Sequence, residues 1–418
     1  MACQWRDPHG NPCRMEEIMI KIAILGYGTI GSGVVEVLDT NRESIAKRAG
    51  DEIEVKYILD LRDFPGDPME GKVIHDYGII AEDPEIQVVV EAMGGVEPAY
   101  TFVKRALLAG KSVTTSNKAL VAKHGAELIA IAKEQGINFL FEASVGGGIP
   151  IIRPLNSSLT ADEIQEITGI LNGTTNYMLS KMTFEGLEFD DVLKDAQSRG
   201  YAEADPTADI EGYDACRKIA ILTSLVCGQQ VDFEEIYTEG ITKITAADIR
   251  YAKAMGRAIK LLATSRKTEE GYCAMVAPFM LAQGHPLYNV NDVFNAIFVH
   301  GNVLGDAMFY GSGAGKLPTA SAVVADIVDI AKHLHKHILI SWSSRKLDLV
   351  DYKQAESRFF VRTTKEKEEI QKAFGNVEFV EAEGISGETG FLTEVMAEEA
   401  FAQKASVLGD ILQRIRVV

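Results

Sequence analysis

Two lysines and a run of carboxylates are the residues of this chain whose types and spacing could do chemistry. Lys218 stands four residues after Asp214, so one helix face would carry both. An exposed pair of that kind contributes under about 1 kcal/mol and is common. The residues that follow, Ile219–Leu225 (IAILTSL), are apolar, so Lys218 opens a buried stretch. A lysine in dry surroundings gives up its proton more readily. Glu203 and Asp209 lie just upstream with Asp214, and such carboxylates suit a ligand bearing an ammonium group. Lys118 follows Ser116 and Asn117 at the end of an apolar segment, where it could steady a developing alkoxide. The set describes an amino acid that gains or loses a proton at oxygen.

A second group addresses phosphate. Gly26-Tyr27-Gly28-Thr29-Ile30-Gly31 directly follows the apolar run MIKIAIL and opens a helical pattern. In that setting the three glycines allow a tight turn, close backbone approach to a pyrophosphate, and close helix–sheet packing. The free N–H groups of the helix start favour negative charge. Asp60, at the end of the second strand, would accept a ribose 2′-hydroxyl, whereas Arg62 would pair with a 2′-phosphate. Asp60 comes 29 residues after Gly31, later than the usual interval of roughly 20. Both NAD and NADP remain open at this point. The glycine-rich segment Glu142–Pro150 could aim carbonyls at a hard cation. His333, His335 and His337 end a helix, where cationic side chains suit the C-terminal carbonyls better than a metal does.

The elements that must position these groups alternate. Strands are expected at Met19–Leu25, Ile53–Leu59, Ile86–Glu91, Ser112–Thr115 and Ile137–Glu142, with helices at Gly31–Leu38, after Pro98, and at Ala119–Gln135. That alternation means a doubly wound parallel α/β sheet over 19–150, to which a helix over 319–337 returns. From 151 to 318 a mixed α+β domain is expected. It has a strand at Glu166–Leu171, helices near Asn176–Thr183, Phe189–Arg199 and Tyr213–Cys227, and one from the capping box at Thr245 to about Thr264. Strands near Cys273–Pro278, Asn295–His300 and Ala307–Tyr310 complete it. The segment 355–418 reads as βαββαβ, the order of an ACT-like regulatory domain.

Bulk properties exclude other classes. A chain of 418 residues, 46% hydrophobic and 24% charged, builds cores without staples. Its five cysteines are scattered, so neither a disulfide frame nor a zinc site is indicated, and a reducing cytoplasm is the simplest home. The net charge of −18 argues against nucleic acid or an anionic membrane as partner, and no apolar run is long enough to span a bilayer. Residues 1–18 are polar, irregular and unlike a secretory signal, so they read as a tail.

Eight segments, in order, carry a resemblance: GYGTIGSGV, EAMGGVEP, TSNKALVAKHG, EASVGGGIPII, GILNGTTNYML, GYAEADPTADIEGYDACRK, HPLYNVNDVFNAI and GSGAGKLPTASAVVAD. From about residue 19 to about 340 the chain resembles the homoserine dehydrogenase family. The resemblance implies NAD(P)-dependent interconversion of aspartate 4-semialdehyde and homoserine, on the route to threonine and methionine. It casts Lys218 as proton donor and Lys118 as the second lysine. Glu203 and Asp214 become substrate ligands, and Tyr27, Thr29, Ile30, Gly94, Ser116, Gly200 and the Gly313–Gly315 turn become cofactor contacts. Carbonyls of Glu142, Val145, Gly147 and Ile149 resemble a structural sodium site, and a homodimer is implied. Two departures stand out. Leu61, flanked by Asp60 and Arg62, occupies a position where many relatives carry arginine. Thr363–Glu368 replaces an Asp-Lys-Pro-Gly-like turn. The rival readings are an amino-acid oxidoreductase acting on a different carbonyl, and a ligand sensor with a retired active site.

Overall fold

The structure, a computed structural model, describes residues 19–418; the expected tail, 1–18, lies outside the described residues. The chain divides into two compact units. One holds the chain up to Leu120, Glu127–Ala143 and Thr319–Leu339; the other holds Val121–Ala126, Ser144–Pro318 and Ile340–Val418.

Six strands form the sheet of the first unit: β1 (Ile20–Leu25), β2 (Ile53–Leu59), β3 (Val73–Ile74), β4 (Ile86–Glu91), β5 (Ser112–Thr115) and β6 (Phe139–Leu140). All pairs are parallel, in the order β3-β2-β1-β4-β5-β6. That is the doubly wound order whose direction reverses between β1 and β4. Ile22, Ile24, Val88, Val89 and Val90 are fully buried, as strands covered on both faces require. The connecting helices are α1 (Thr29–Thr40), α2 (Arg42–Ala49), α3 (Tyr77–Glu82), α4 (Ala99–Leu108) and α5 (Lys118–Glu134).

The second unit carries α6 (Gly173–Glu185), α7 (Phe189–Ser198), α8 (Thr207–Ile210), α9 (Tyr213–Cys227) and α10 (Ala246–Ala254). Its strands are β7 (Ile164–Ile170), β8 (Tyr237–Thr238), β9 (Arg257–Thr268), β10 (Gly271–Ala282), β11 (Phe294–Gly301) and β12 (Gly305–Ser312). The antiparallel order is β12-β11-β7-β9-β10, with α6, α9 and α10 packed on it. The expected return helix is α11 (Lys316–Lys332), which belongs to the first unit from Thr319 onward. There the Asp326 carboxylate accepts from Thr114 Oγ1 (3.0 Å) and from the Glu142 N–H (3.0 Å). Just beyond α11, His333 and His337 each bond a backbone carbonyl, and no cluster of three metal-ligating side chains occurs among the described residues.

The C-terminal segment follows the expected order: β13 (Glu356–Thr363), α12 (Lys367–Phe374), β14 (Glu378–Val380), β15 (Thr389–Leu392), the two-residue β16 (Met396–Ala397), α13 (Glu398–Leu408) and β17 (Ile411–Val417). Its main strands run β17-β13-β15-β14 over a core of Phe359, Val361, Phe374, Phe391 and Phe401. The segment does not stand apart from the second unit. Strand β17 pairs in parallel with β10, Phe279 with Arg416 and Met280 with Val417, so both sets of strands form one sheet.

One expected element is corrected. The helix opened by the Thr245 capping box ends at Ala254, not near Thr264; Gly256 turns left-handed (φ 65°) and the chain enters β9. The run IKLLATS is apolar enough for either period, and pairing along all of β10 decides for strand. This places Lys260 in the interior, 2% exposed, its Nζ donating to Val290 O (2.5 Å), Asn291 Oδ1 (2.9 Å) and Asn176 Oδ1 (3.2 Å). Burial pushes its ammonium down to about 8. Between that value and the ordinary lysine range the unfolded chain holds a proton that the folded chain releases, so stability rises with pH. Relative to Lys260→Met, the wild-type chain is expected to gain on the order of 2–3 kcal/mol between pH 8 and 10.5, read by urea unfolding. A pH-independent difference would contradict a Lys260 whose hold on its proton is weakened by burial.

Candidate active site

In the first unit the candidate site residues gather at the C-terminal ends of β1, β2, β4 and β5. Gly26 is left-handed (φ 93°), and a Cβ there would lie 3.0 Å from the Ala92 carbonyl oxygen just beyond β4. A Cβ on Gly31 would meet the Gly26 oxygen at 1.9 Å, so the loop and α1 touch backbone to backbone. Gly28 has open space around it, which leaves its backbone accessible to a bulky anion at the start of α1. The tight turn at Gly26 and the close packing at Gly31 are the geometry that the glycine spacing predicts.

Asp60 follows β2 directly. Its Oδ2 accepts the Tyr27 N–H (2.8 Å), and Oδ1 accepts the N–H (3.0 Å) and Nε (3.0 Å) of Arg62. The Arg62 guanidinium, assisted by these backbone donors against the cost of burial, holds the carboxyl well below the usual carboxylate range. Asp60 therefore braces the glycine loop from behind, while Arg62 remains 62% exposed over the Phe64 ring. Burial and the Asp67 carboxylate push the Tyr27 phenol up to about 12.

Glu91 was not singled out by sequence reasoning, yet it shapes this edge. It is fully buried at the end of β4, and burial pushes its carboxyl up. Its oxygens accept from Met93 N (2.7 Å), Gly94 N (3.3 Å) and Thr115 Oγ1 (2.5 Å). One carboxylate thus ties the Gly94 turn to the strand that leads into Ser116. Asn117 then caps α5, accepting from Leu120 N (3.1 Å) and donating to Gly95 O (2.5 Å). Lys118, half-buried, is the first residue of that helix.

In the second unit Asn172 caps α6, accepting the Thr175 N–H (2.9 Å). Its Nδ2 donates to Asp209 Oδ1 (2.7 Å) and to Asp214 Oδ2 (2.9 Å). The same Asp214 oxygen accepts Lys218 Nζ (2.7 Å), which also donates to Leu171 O (2.7 Å). Asp214 and Lys218 are 3% and 8% exposed, so the pair that could have been a surface salt bridge is buried. Asp209, Asp214 and Lys218 are together; Glu203 stays exposed on the loop after Gly200, where Gln197 Nε2 donates to its backbone oxygen (3.1 Å). The one signal for Asn172 was its place before Gly-Thr-Thr at a helix start.

The turns at 145–149 and 311–315 also meet. Gly146 and Gly147 are both left-handed, Ile149 N bonds Gly146 O (2.8 Å), and a Cβ on Gly147 would strike the Gly313 oxygen at 2.5 Å. Gly313 in turn faces the fully buried Asn295 side chain, whose two amide atoms have no partner among the described residues. Gly315 is left-handed (φ 119°).

Residues 26–142 match the family model described as homoserine dehydrogenase, NAD binding domain, and residues 150–328 match that described as homoserine dehydrogenase. The chain is 46% identical to the homoserine dehydrogenase of Pseudomonas aeruginosa over 314 residues, covering 75% of this chain and 72% of that one. The chain belongs to the homoserine dehydrogenase family. The Synechocystis homoserine dehydrogenase is 48% identical over 320 residues, covering 74% and 73% of the two chains. Among solved structures, a homoserine dehydrogenase from Thiobacillus denitrificans superposes with a TM-score of 0.88 at 37% identity, over 96% of this chain and 98% of that one. A hyperthermophilic archaeal homoserine dehydrogenase in complex with NADPH does so with 0.63 at 31% identity, over 75% and 97%. The chain is an oxidoreductase of this family with a nicotinamide-dinucleotide-binding domain.

Gly31→Ala is expected to weaken dinucleotide binding at least about tenfold in a fluorescence titration, with the buried core of the second unit still folded. Unchanged binding would contradict the close loop–helix contact.

Proposed function

We propose that the chain interconverts L-aspartate 4-semialdehyde and L-homoserine in the biosynthesis of threonine and methionine. The observation that carries this reading is the buried Asn172–Asp214–Lys218 chain. A bound nicotinamide dinucleotide supplies or takes up the hydride. Lys218 donates the Nζ proton to the carbonyl oxygen of the semialdehyde as negative charge develops there. Asp214 and the Leu171 carbonyl hold that Nζ in one orientation, and the reverse reaction returns the proton to it. Asp209, Asp214 and Glu203 bind the amino-acid end of the substrate. Lys118 is the second lysine of the reaction, set at the start of α5 by the Asn117 cap.

For the cofactor, the open Gly28 and the close-packed Gly31 fit a pyrophosphate, with Thr29, Ile30, Gly94 and Ser116 as the other contacts from the first unit. Asp60 already accepts from Tyr27 and Arg62, and Arg62 is exposed, which favours NADP(H) over NAD(H). The carbonyls of Glu142, Val145, Gly147 and Ile149 would hold a sodium ion, a reading that draws on the left-handed turn at Gly146 and Gly147. The βαββαβ segment is ACT-like, as its strand order 4-1-3-2 suggests. The enzyme works as a cytoplasmic homodimer. No helix among the described residues is long and apolar enough to cross a membrane.

Purified protein should reduce aspartate semialdehyde far faster than other amino-acid aldehydes, and faster with NADPH than with NADH. Lys218→Ala should lower turnover by a factor on the order of 10² to 10⁴ with dinucleotide binding intact. Near-normal turnover in that variant would end the proposal.

A further inference from the structure

We infer that Glu239, held by two arginines of the last strand, is a positioning residue for the substrate loop that carries Asp209. This rests on the reading above for what the loop binds. Glu239 follows the short strand β8. Its Oε2 accepts from Arg414 Nη2 (2.7 Å), Arg416 Nη1 (2.9 Å) and Tyr237 OH (3.0 Å). Both arginines come from β17, and both also pair with Glu398, at 2.7 Å and 2.5 Å. Arg416 is fully buried. Buried ion clusters of this kind are poor sources of net stability, since apolar residues of equal volume often do as well. What they supply is a fixed register, because a misplaced partner leaves a charge stranded in a dry place.

The fixed register has a clear recipient. Glu239 N donates to Val276 O (2.8 Å), which locks the segment onto β10. The next residue, Gly240, lies so close to α8 that a Cβ would be 2.1 Å from the Ile210 oxygen and 2.5 Å from Glu211 Cα. Ile241, fully buried, donates its N–H to that same Ile210 oxygen (2.8 Å). Just after α8, Gly212 lies against β8 and β10: a Cβ there would be 3.1 Å from Val276 Cγ1 and 3.2 Å from Thr238 Cγ2. Residues 237–241 therefore form the floor on which 207–212 rests. Asp209 sits in that stretch, one residue before the Ile210 carbonyl, and Asn172 links it to Asp214 and Lys218. A shift of Glu239 toward or away from β17 passes to Asp209 through backbone contacts with no slack. The C-terminal βαββαβ segment thereby gains a hold on the site, though it contributes no residue to it.

The test perturbs the link from each end. Glu239→Gln loosens the arginine grip, and Gly240→Ala wedges a methyl against Ile210 while leaving the arginine cluster intact. Two readouts are taken on each full-length variant. Backbone hydrogen exchange in the peptide spanning 205–212, which needs no substrate, should speed up at least tenfold. The KM for aspartate semialdehyde should rise at least fivefold, with the dinucleotide dissociation constant within twofold of wild type. Glu239→Asp, which keeps the charge, should recover part of the KM. A variant that merely melts at lower temperature, with exchange at 205–212 or KM unmoved, overturns the inference. If the wild-type protein fails to reduce aspartate semialdehyde, the proposed function falls by itself, and the exchange experiment still decides whether Glu239 positions the loop.

Discussion

A lysine ammonium placed where water is scarce must be given acceptors, and that requirement organises the second unit. Lys218 meets it with one side-chain oxygen of Asp214 and the Leu171 carbonyl at the end of β7. Asp214 is kept in place by Asn172, which is itself fixed as the cap of α6. A helix start, a strand end and a helix interior are thereby tied at one nitrogen. The helix α9 can carry this charge inside because Ile219, Ala220, Ile221, Leu222 and Leu225, which follow it, are apolar and buried. In the proposed mechanism stability and chemistry draw on the same contacts, since the acceptors that make burial tolerable also aim the proton.

Backbone contact is the second recurring device. Gly31 on Gly26, Gly147 on Gly313 and Gly240 on Ile210 are places where any side chain would strike a neighbouring main chain. Each fixes a loop against neighbouring backbone. Loops held by main-chain contact have little freedom to drift, which is what a site built from turns needs if its geometry is to hold to a fraction of an ångström.

The legible parts of the sequence were those with a period or a fixed spacing. The strand–glycine–helix unit at 20–40, the buried strand Ile86–Glu91 and the helix Tyr213–Cys227 all announce themselves by pattern, and the structure has each of them. The pairing of Asp214 with Lys218 was readable because four residues make one helix turn. What escaped was set by contacts distant in sequence. Position alone offers Asp60 and Arg62 as alternative ribose selectors, and only the folded chain shows the Asp60 carboxylate accepting the Tyr27 N–H, 33 residues away. Glu91 and Asn172 act through bonds that leave no periodic trace. The stretch 255–264 suits helix or strand locally, and the β9–β10 pairing, which sequence cannot see, decided it. The union of β10 with β17 joins Phe279 to Arg416, 137 residues apart, and had no local signal at all.

The claim at the centre of this account is that Lys218 moves a proton, and chemical rescue tests it most directly. In the Lys218→Ala variant, with dinucleotide binding confirmed, turnover of aspartate semialdehyde is followed against added methylammonium. The account predicts a rate that climbs with the concentration of the protonated amine and with no other cation. A variant that stays inactive at every amine concentration, or that responds equally to sodium chloride, would contradict it.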